Sequence, residues 1–360
     1  MGNNQVRGES LGYFNLARGL GMVSILAGHS LNPLRSVPET AGFFTGAGSI
    51  LGGGIIAAFF MISGFGFYRR SPRKCLAVQK KLLLRPYYLT AAAVLITKLL
   101  LALLKRRSFL QHGGELVFTY LLGLNGEGGG QICGIPIESV SILWFILALF
   151  AGWLIYNGCL QLKSKWLRRG IIAGCVIGSY LMTLIAAVWP FCLPMGLLAA
   201  GYLAAGDYIR RNGFLEKKLP GWLWGSLILV VVICAAFGDV NIVAGVWGLG
   251  LLDVAGSFCA GFLLLRLYAR WMQRDRQGRI NGLLEEIGLH SIWIVCLHAY
   301  EKIIFPWYRV YEMLSGQPWL AAVLCFAGRC AVMYLLYRII VWLNRYWKRK
   351  RHKKKITIEL

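Results

Sequence analysis

The sequence has little charge, and negative charge is the scarcer kind. Charged residues make up 15% of the 360 positions, whereas an ordinary soluble domain has about 25%. Hydrophobic residues make up 57%, and they lie in long blocks. This composition excludes an ordinary soluble protein and predicts an all-α fold, a polytopic bundle of transmembrane helices.

Acidic residues number only 15 against 39 lysines and arginines, which gives a net charge of +24. In a soluble protein such an excess would indicate nucleic-acid binding. Here the basic residues form short clusters between apolar blocks, which is typical of cytoplasmic loops that face anionic lipid. We therefore expect anionic lipid as a partner of the basic loops and tail, and no nucleic acid.

The sequence also lacks a CxxC pair and a histidine cluster with metal-ligand spacing. Most of its ten cysteines lie inside apolar blocks, where cysteine acts as a small apolar side chain, so we expect neither a disulfide framework nor a metal site. The stretch "GAGSILGGG" opens an apolar helix without a preceding strand, which argues against a dinucleotide-binding loop. No cleavage site follows the first apolar block, so this block is expected to remain as a spanning helix.

The apolar blocks predict about ten spanning helices. They cover residues 13–31, 48–68, 86–104, 141–161, 170–188, 191–208, 221–237, 242–267, 287–305 and 319–343. A further apolar piece at 116–124 is too short to cross about 30 Å of hydrocarbon. We interpret it as a short re-entrant or interfacial helix.

Basic charge differs between the loops and predicts the topology. The basic loops are 69–85, 162–169, 209–220 and 268–282. Ten spans with both termini in the cytoplasm put all four loops inside, as the positive-inside rule requires, but leave the basic cluster at 105–107 outside. The expected organisation is a cytoplasmic N-terminus (1–12), a membrane domain (13–343) and a basic cytoplasmic tail (344–360), in the plasma membrane.

The first span carries two ionisable residues, Arg18 and His29, eleven residues apart. On an α-helix this spacing is three turns plus about 20°, so both side chains share one face, separated by about 16 Å along the axis. Small residues that permit close helix packing run beside this face: Ala17, Gly21, Ser24 and Gly28. Two interpretations stay open, a polar track along a pathway, or a snorkelling arginine and a hydrogen-bonded histidine.

Five motifs in order resemble the membrane-bound acyltransferase 3 family, which includes O-acyltransferases and O-acetyltransferases. The first is "NLARGLGMVSILAGHS", with an arginine, ten residues and a histidine. The others are "FFMISGF" (59–65), "KKLLLRPYY" (80–88), "ILWFILALF" (142–150) and "IGLHSIWIVCLH" (287–298). The resemblance covers residues from about 12 to 343.

The resemblance implies transfer of an acyl group, usually acetyl, from cytoplasmic acyl-CoA to a hydroxyl acceptor, often a saccharide of the cell envelope. In such a reaction a neutral imidazole can take the hydroxyl proton, and His29 is the candidate base. Arg18 is the candidate ligand for the CoA phosphates, since a guanidinium binds phosphate well. Arg85 could add a phosphate contact or could merely follow the positive-inside bias.

Further residues are candidates for a role in the reaction, and for each of them a purely structural interpretation also stays open. His298 could orient the acceptor or assist proton transfer, and Glu301 could orient His298; alternatively they form a structural polar pair. Ser63 could carry the acyl group, although with Gly64 a close-packing point is favoured. Other ionisable and aromatic residues are expected to be structural: an ion pair of Asp253 with Arg329, a snorkelling Lys98 and an interfacial Trp307.

An alternative function remains open. Similar membrane bundles occur fused to racemases in glycopeptide-resistance proteins, where they are thought to supply serine. A charged cavity near the membrane midplane also suits transport. The alternative to an acyltransferase is therefore a membrane transporter of a small amino acid such as serine.

Overall fold

The computed structural model describes residues 2–104, 109–125, 131–132, 135–185, 188–274 and 278–358. Fifteen α-helices are described: Gly2–Leu31 (α1), Pro38–Thr45 (α2), Ala47–Phe65 (α3), Pro72–Gln79 (α4), Arg85–Leu104 (α5), Phe109–Leu122 (α6), Trp144–Cys159 (α7), Lys165–Thr183 (α8), Leu193–Asn212 (α9), Gly221–Phe237 (α10), Leu251–Arg274 (α11), Arg279–Leu289 (α12), Ser291–Ile304 (α13), Tyr308–Met313 (α14) and Pro318–Ile358 (α15). The all-α prediction is confirmed.

Short elements join these helices. Three 3₁₀ turns cover Asn32–Ser36, Ser141–Leu143 and Pro190–Cys192, and a π-helical turn at Lys80–Leu84 connects α4 to α5. The strands are two antiparallel pairs, Gln131–Ile132 (β1) with Ile135–Pro136 (β2), and Val240–Asn241 (β3) with Val246–Trp247 (β4).

Six of the described helices are long and apolar enough to cross a membrane. They are Ala47–Phe65, Pro72–Leu104, Ser141–Cys159, Pro190–Asn212, Leu251–Met272 and Pro318–Ile339. The bent pair α12 and α13 brings the number to seven if it counts as one span. The protein is thus a multi-pass membrane protein, while ten spans and two cytoplasmic termini stay predictions.

Two of the predicted spans take a different form. The block at 287–305 is broken, because α12 and α13 meet at an angle of 77°. The block at 242–267 becomes helical only at Leu251, because the β3–β4 hairpin occupies its first part. Asp253 holds the end of this hairpin, where its Oδ2 accepts a hydrogen bond of 2.8 Å from the backbone N–H of Leu249.

Two further segments are helical, while a re-entrant or interfacial position for residues 116–124 and a cytoplasmic position for the tail stay predictions. Residues 116–122 of the short apolar piece fall in α6, and α15 continues as a helix through the basic tail to Ile358. The basic cluster at 105–107, which disagreed with the predicted topology, lies outside the described residues.

Two glycines fix the contact between α1 and α12. A Cβ atom at Gly288 would lie 1.7 Å from the carbonyl oxygen of Asn15, and one at Gly19 would lie 1.9 Å from that of Leu284. The backbones therefore approach so closely that no side chain fits between them. This contact places the Arg18 turn of α1 against α12, just before the bend that leads into α13.

Gly288→Ala is expected to destabilise the protein by about 1–3 kcal/mol, because the new methyl group must displace backbone atoms of α1. The matched control is Gly282→Ala on the same helix, where a Cβ meets nothing within 4 Å; it is expected to gain about 0.5–1 kcal/mol. Reversible unfolding in mild detergent measures both. Equal stability of the two variants would contradict the close contact.

Candidate active site

One unbroken helix carries Arg18 and His29. Helix α1 runs from Gly2 to Leu31 without interruption, so the predicted geometry of one face and about 16 Å of separation holds. Both side chains are half-buried. The part of α1 between them packs on α3, where a Cβ at Gly21 would lie 2.8 Å from the ring of Phe59.

His29 contacts the second predicted histidine, His298. The ring centroids are 5.1 Å apart and the ring planes are inclined by 57°. His298 is fully buried and lies on α13, beyond the bend that follows α12. The bend thus turns α13 so that a residue far along the chain meets the end of α1.

Glu301 lies one turn beyond His298 and is also fully buried. His298 Nδ1 lies 2.8 Å from Glu301 Oε2. Arg329 of α15 donates from Nη1 to both carboxylate oxygens, at 3.1 and 3.2 Å. The indole N–H of Trp307 also donates to Oε1, and the guanidinium of Arg329 lies 5.1 Å from the centre of that indole.

This network sets the tautomer of His298. The Glu301 carboxylate can only accept, so Nδ1 of His298 carries the hydrogen and Nε2 presents its lone pair. Nε2 is buried and has no hydrogen-bond partner among the described residues. Arg329 offsets the buried charge of Glu301, because an unpaired carboxylate in such a position costs several kcal/mol. The result is an imidazole fixed in orientation, with a free basic nitrogen, beside His29.

Arg329 and Trp307 are parts of the site that sequence reasoning placed elsewhere. The expected ion pair of Arg329 with Asp253 is wrong, because Arg329 pairs with Glu301 and Asp253 binds the backbone of the β3–β4 hairpin. Trp307, which was expected only as an interfacial residue, donates its indole N–H to the buried carboxylate of Glu301. Opposite charges inside predicted spans indicated an ion pair. The positions of these residues in the sequence did not show whether Arg329 binds Glu301 or Asp253.

Arg18 has no acidic partner among the described residues, in contrast to Arg329, which pairs with Glu301. It follows Ala17, which is buried, and precedes Gly19, which packs on α12. A half-buried guanidinium with no carboxylate beside it keeps its donors available for an anion.

The other two candidates lie apart from this network. Arg85 is exposed at the start of α5. Ser63 is buried on α3, where its hydroxyl donates to the carbonyl oxygen of Phe59 at 3.2 Å. A Cβ at Gly64 would lie 2.1 Å from the carbonyl oxygen of Leu203, so the close packing expected for this pair is present. Donor binding by Arg85 or Ser63 stays a prediction.

The described residues contain no group of three or more His, Cys, Asp or Glu side chains placed to hold a metal ion. The candidate site instead contains two imidazoles in contact, a carboxylate paired with a guanidinium, and a second guanidinium about 16 Å away along α1. Such a set can accept a proton at one end and bind an anion at the other.

The chain belongs to the acyltransferase 3 family: the sequence model of that family, described as an acyltransferase domain, matches residues 11–338, nearly the whole chain. Together with its apolar helices, this membership makes the protein a membrane acyltransferase. No curated protein and no solved structure matches the chain.

Proposed function

We propose that the protein transfers an acyl group, acetyl in the simplest case, from cytoplasmic acyl-CoA to a hydroxyl group of an extracytoplasmic or membrane-linked acceptor, a saccharide of the cell envelope. The plasma membrane is the corresponding location. The observation that carries this proposal is the contact of His29 with the carboxylate-bound His298. His29 lies on the same helix as Arg18, which has no acidic partner within the described part of the chain.

In this proposal His29 is the general base. The acceptor oxygen attacks the thioester carbonyl carbon while its proton passes to a ring nitrogen of His29. The tetrahedral intermediate then collapses, the C–S bond breaks, and the CoA sulfur takes the proton back from the imidazolium. His29 suits this role better than His298, because part of its surface is exposed whereas His298 is fully buried.

His298 and Glu301 assist that proton transfer through the contact of His298 with His29 and its hydrogen bond to Glu301. The ring of His298 lies against the ring of His29 that becomes positively charged, and the carboxylate of Glu301 holds His298 in place through Nδ1. A second imidazole with a fixed acceptor nitrogen stabilises an imidazolium neighbour and orients it.

Arg18 binds the CoA phosphates, with the pantetheine arm lying along α1 toward His29. The helical separation of about 16 Å is on the scale of an extended pantetheine arm. Guanidinium is the side chain best suited to phosphate, since its donors bind two oxygens at once.

Arg18→Ala is expected to raise KM for acyl-CoA by about 10- to 100-fold and to leave kcat nearly unchanged, because it removes charge-assisted hydrogen bonds far from the reacting atoms. Initial rates against acyl-CoA in proteoliposomes measure this. The matched control is Arg169→Ala, an exposed arginine on α8. Acyl-pantetheine, which lacks the nucleotide phosphates, should be used equally by wild type and Arg18→Ala; a persisting difference would contradict the phosphate contact.

The same proteoliposomes test the proposed function as a whole. Labelled acyl-CoA is supplied on one side, and label is followed into hydroxyl-bearing acceptors and, in cells, into envelope saccharides by mass spectrometry. Uptake of labelled serine without any acyl transfer, unaffected by a His29→Gln substitution, would instead establish the amino-acid transporter.

A further inference from the structure

Two aromatic side chains at α14 contact the two parts of the site that carry the histidines. Trp307 immediately precedes α14 and has helical backbone angles, φ −56° and ψ −26°. Tyr311 follows it by four residues, so the two side chains lie on the same face of this short helix. Nothing in the proposed acyl-transfer reaction uses Tyr311.

Trp307 is fixed between α13 and α15. Its indole N–H donates to the carboxylate of Glu301, and the guanidinium of Arg329 lies 5.1 Å from the centre of the indole. A Cβ at Gly328 would lie 2.8 Å from the same ring, so a larger residue at 328 would displace the indole. Trp307 therefore belongs to the network that orients His298.

Tyr311 contacts the end of α1. Its hydroxyl donates to the backbone carbonyl oxygen of Ser30, the residue that follows His29 in the last turn of α1. Ser30 is buried, and its own hydroxyl donates back to the carbonyl oxygen of Leu26 at 2.9 Å. Carbonyl groups in the last turn of a helix have no partner in a following turn. The hydrogen bond from Tyr311 therefore anchors this turn to α14.

The anchor matters for His29 because its ring has no hydrogen bond within the described part of the chain. The ring contacts His298, but no carboxylate orients it in the way that Glu301 orients His298. Gly28, which precedes His29, is exposed, and a Cβ there would meet nothing within 4 Å. Since glycine gives a helix backbone extra freedom, the position of the imidazole depends on how firmly the last turn of α1 is held.

We propose that Tyr311 is a positioning residue for His29, which anchors the last turn of α1 so that this imidazole stays against His298. The role in the reaction rests on the proposed acyltransferase function, whereas the anchoring of α1 does not. One face of α14 thus fixes the two histidines relative to each other, through Trp307 and Glu301 on one side and through Tyr311 on the other.

The anchoring is tested without catalysis, by backbone hydrogen exchange of the full-length protein in mild detergent, followed by mass spectrometry. Tyr311→Phe keeps the ring and removes only the hydroxyl. Loss of this hydrogen bond is expected to speed exchange about two- to tenfold in peptides that cover residues 26–36. The matched control is Tyr308→Phe, an exposed tyrosine on the same helix, which should change nothing. Wild-type exchange of this segment in Tyr311→Phe would overturn the proposal.

Initial rates in proteoliposomes test the role in the reaction. Tyr311→Phe is expected to lower kcat about 10- to 100-fold, because a displaced base loses its alignment with the reacting hydroxyl. KM for acyl-CoA should stay nearly unchanged, since Arg18 lies about 16 Å away along α1. Loss of a merely structural hydrogen bond would lower the melting temperature and leave kcat per folded protein unchanged.

The outcomes separate this proposal from the acyltransferase function. Active wild type together with an undiminished kcat in Tyr311→Phe would overturn the positioning role while the acyltransferase function stands. A rise in KM as large as the fall in kcat would show that all of α1 is displaced, and would also overturn it. Faster exchange in Tyr311→Phe without any transfer by wild type would contradict the acyltransferase function and leave the anchoring of α1 supported.

Discussion

Replacing His29 by alanine is expected to reduce acyl transfer by about 10²- to 10⁴-fold, the usual contribution of a general base. The loss should appear in kcat, with little change in the binding of acyl-CoA, because Arg18 lies about 16 Å away on the same helix. His29→Gln should lose as much activity, since an amide keeps hydrogen bonding but cannot take up the proton. Initial rates with saturating acyl-CoA in proteoliposomes measure the effect.

The control for this prediction is His290→Gln, a histidine in the bend between α12 and α13. Its Nδ1 lies 3.0 Å from the carbonyl oxygen of Glu286, and its ring contacts Tyr337, so it is outside the network of Glu301. It should keep most of the activity. Melting temperatures of the His29 variants close to that of wild type would exclude misfolding as the cause. Full activity of His29→Ala would remove His29 from the mechanism.

The pairing of Arg18 with His29 on one helix face could be predicted because it depends only on the regular geometry of α1. Eleven residues return the side chain to nearly the same direction, and α1 is unbroken over that range. The all-helical class was predictable for a similar local reason, since long apolar blocks with few charges permit little else inside a membrane.

The contact between His29 and His298 could not be predicted from the sequence. It depends on the 77° bend between α12 and α13, which apolar periodicity does not reveal, because both halves are apolar enough to read as one span. The bend lies where Gly288 packs on the backbone of α1 and where the backbone N–H of His290 donates to the carbonyl oxygens of Glu286 and Ile287 at the end of α12. The first cause is a contact between helices that are distant in the sequence. The second depends on where a helix ends, and a hydrophobic pattern does not define that point.

The partner of Arg329 was missed for a related reason. A nearby anion lowers the cost of burying an arginine, and the predicted spans offered Asp253 and Glu301 as well as Asp207 near a helix end. Separation along the chain does not decide between them, because any two spans can be neighbours. The structure places α15 beside α13, so Arg329 reaches Glu301, while Asp253 is engaged with the backbone of its own hairpin.

The second large effect is expected at Arg329. Arg329→Met should destabilise the protein by about 3–5 kcal/mol, because it leaves the fully buried carboxylate of Glu301 without its guanidinium. The matched control is Arg35→Met, which breaks an ion pair with Asp239 whose side chains are 29% and 32% exposed; it should cost at most about 1 kcal/mol. Reversible unfolding in mild detergent measures the free energy of unfolding for both.

A double substitution separates the charge from the packing. Glu301→Gln combined with Arg329→Met removes both charges, and since a buried ion pair is often replaceable by neutral side chains at little cost, most of the lost stability should return. Transfer activity should not return with it, because an amide at 301 can donate to His298 Nδ1 and move the ring hydrogen to Nε2, where the lone pair is needed. Recovery of stability together with activity would mean that the network around Glu301 only holds α13 against α15. Recovery of stability alone would assign Glu301 the positioning of His298.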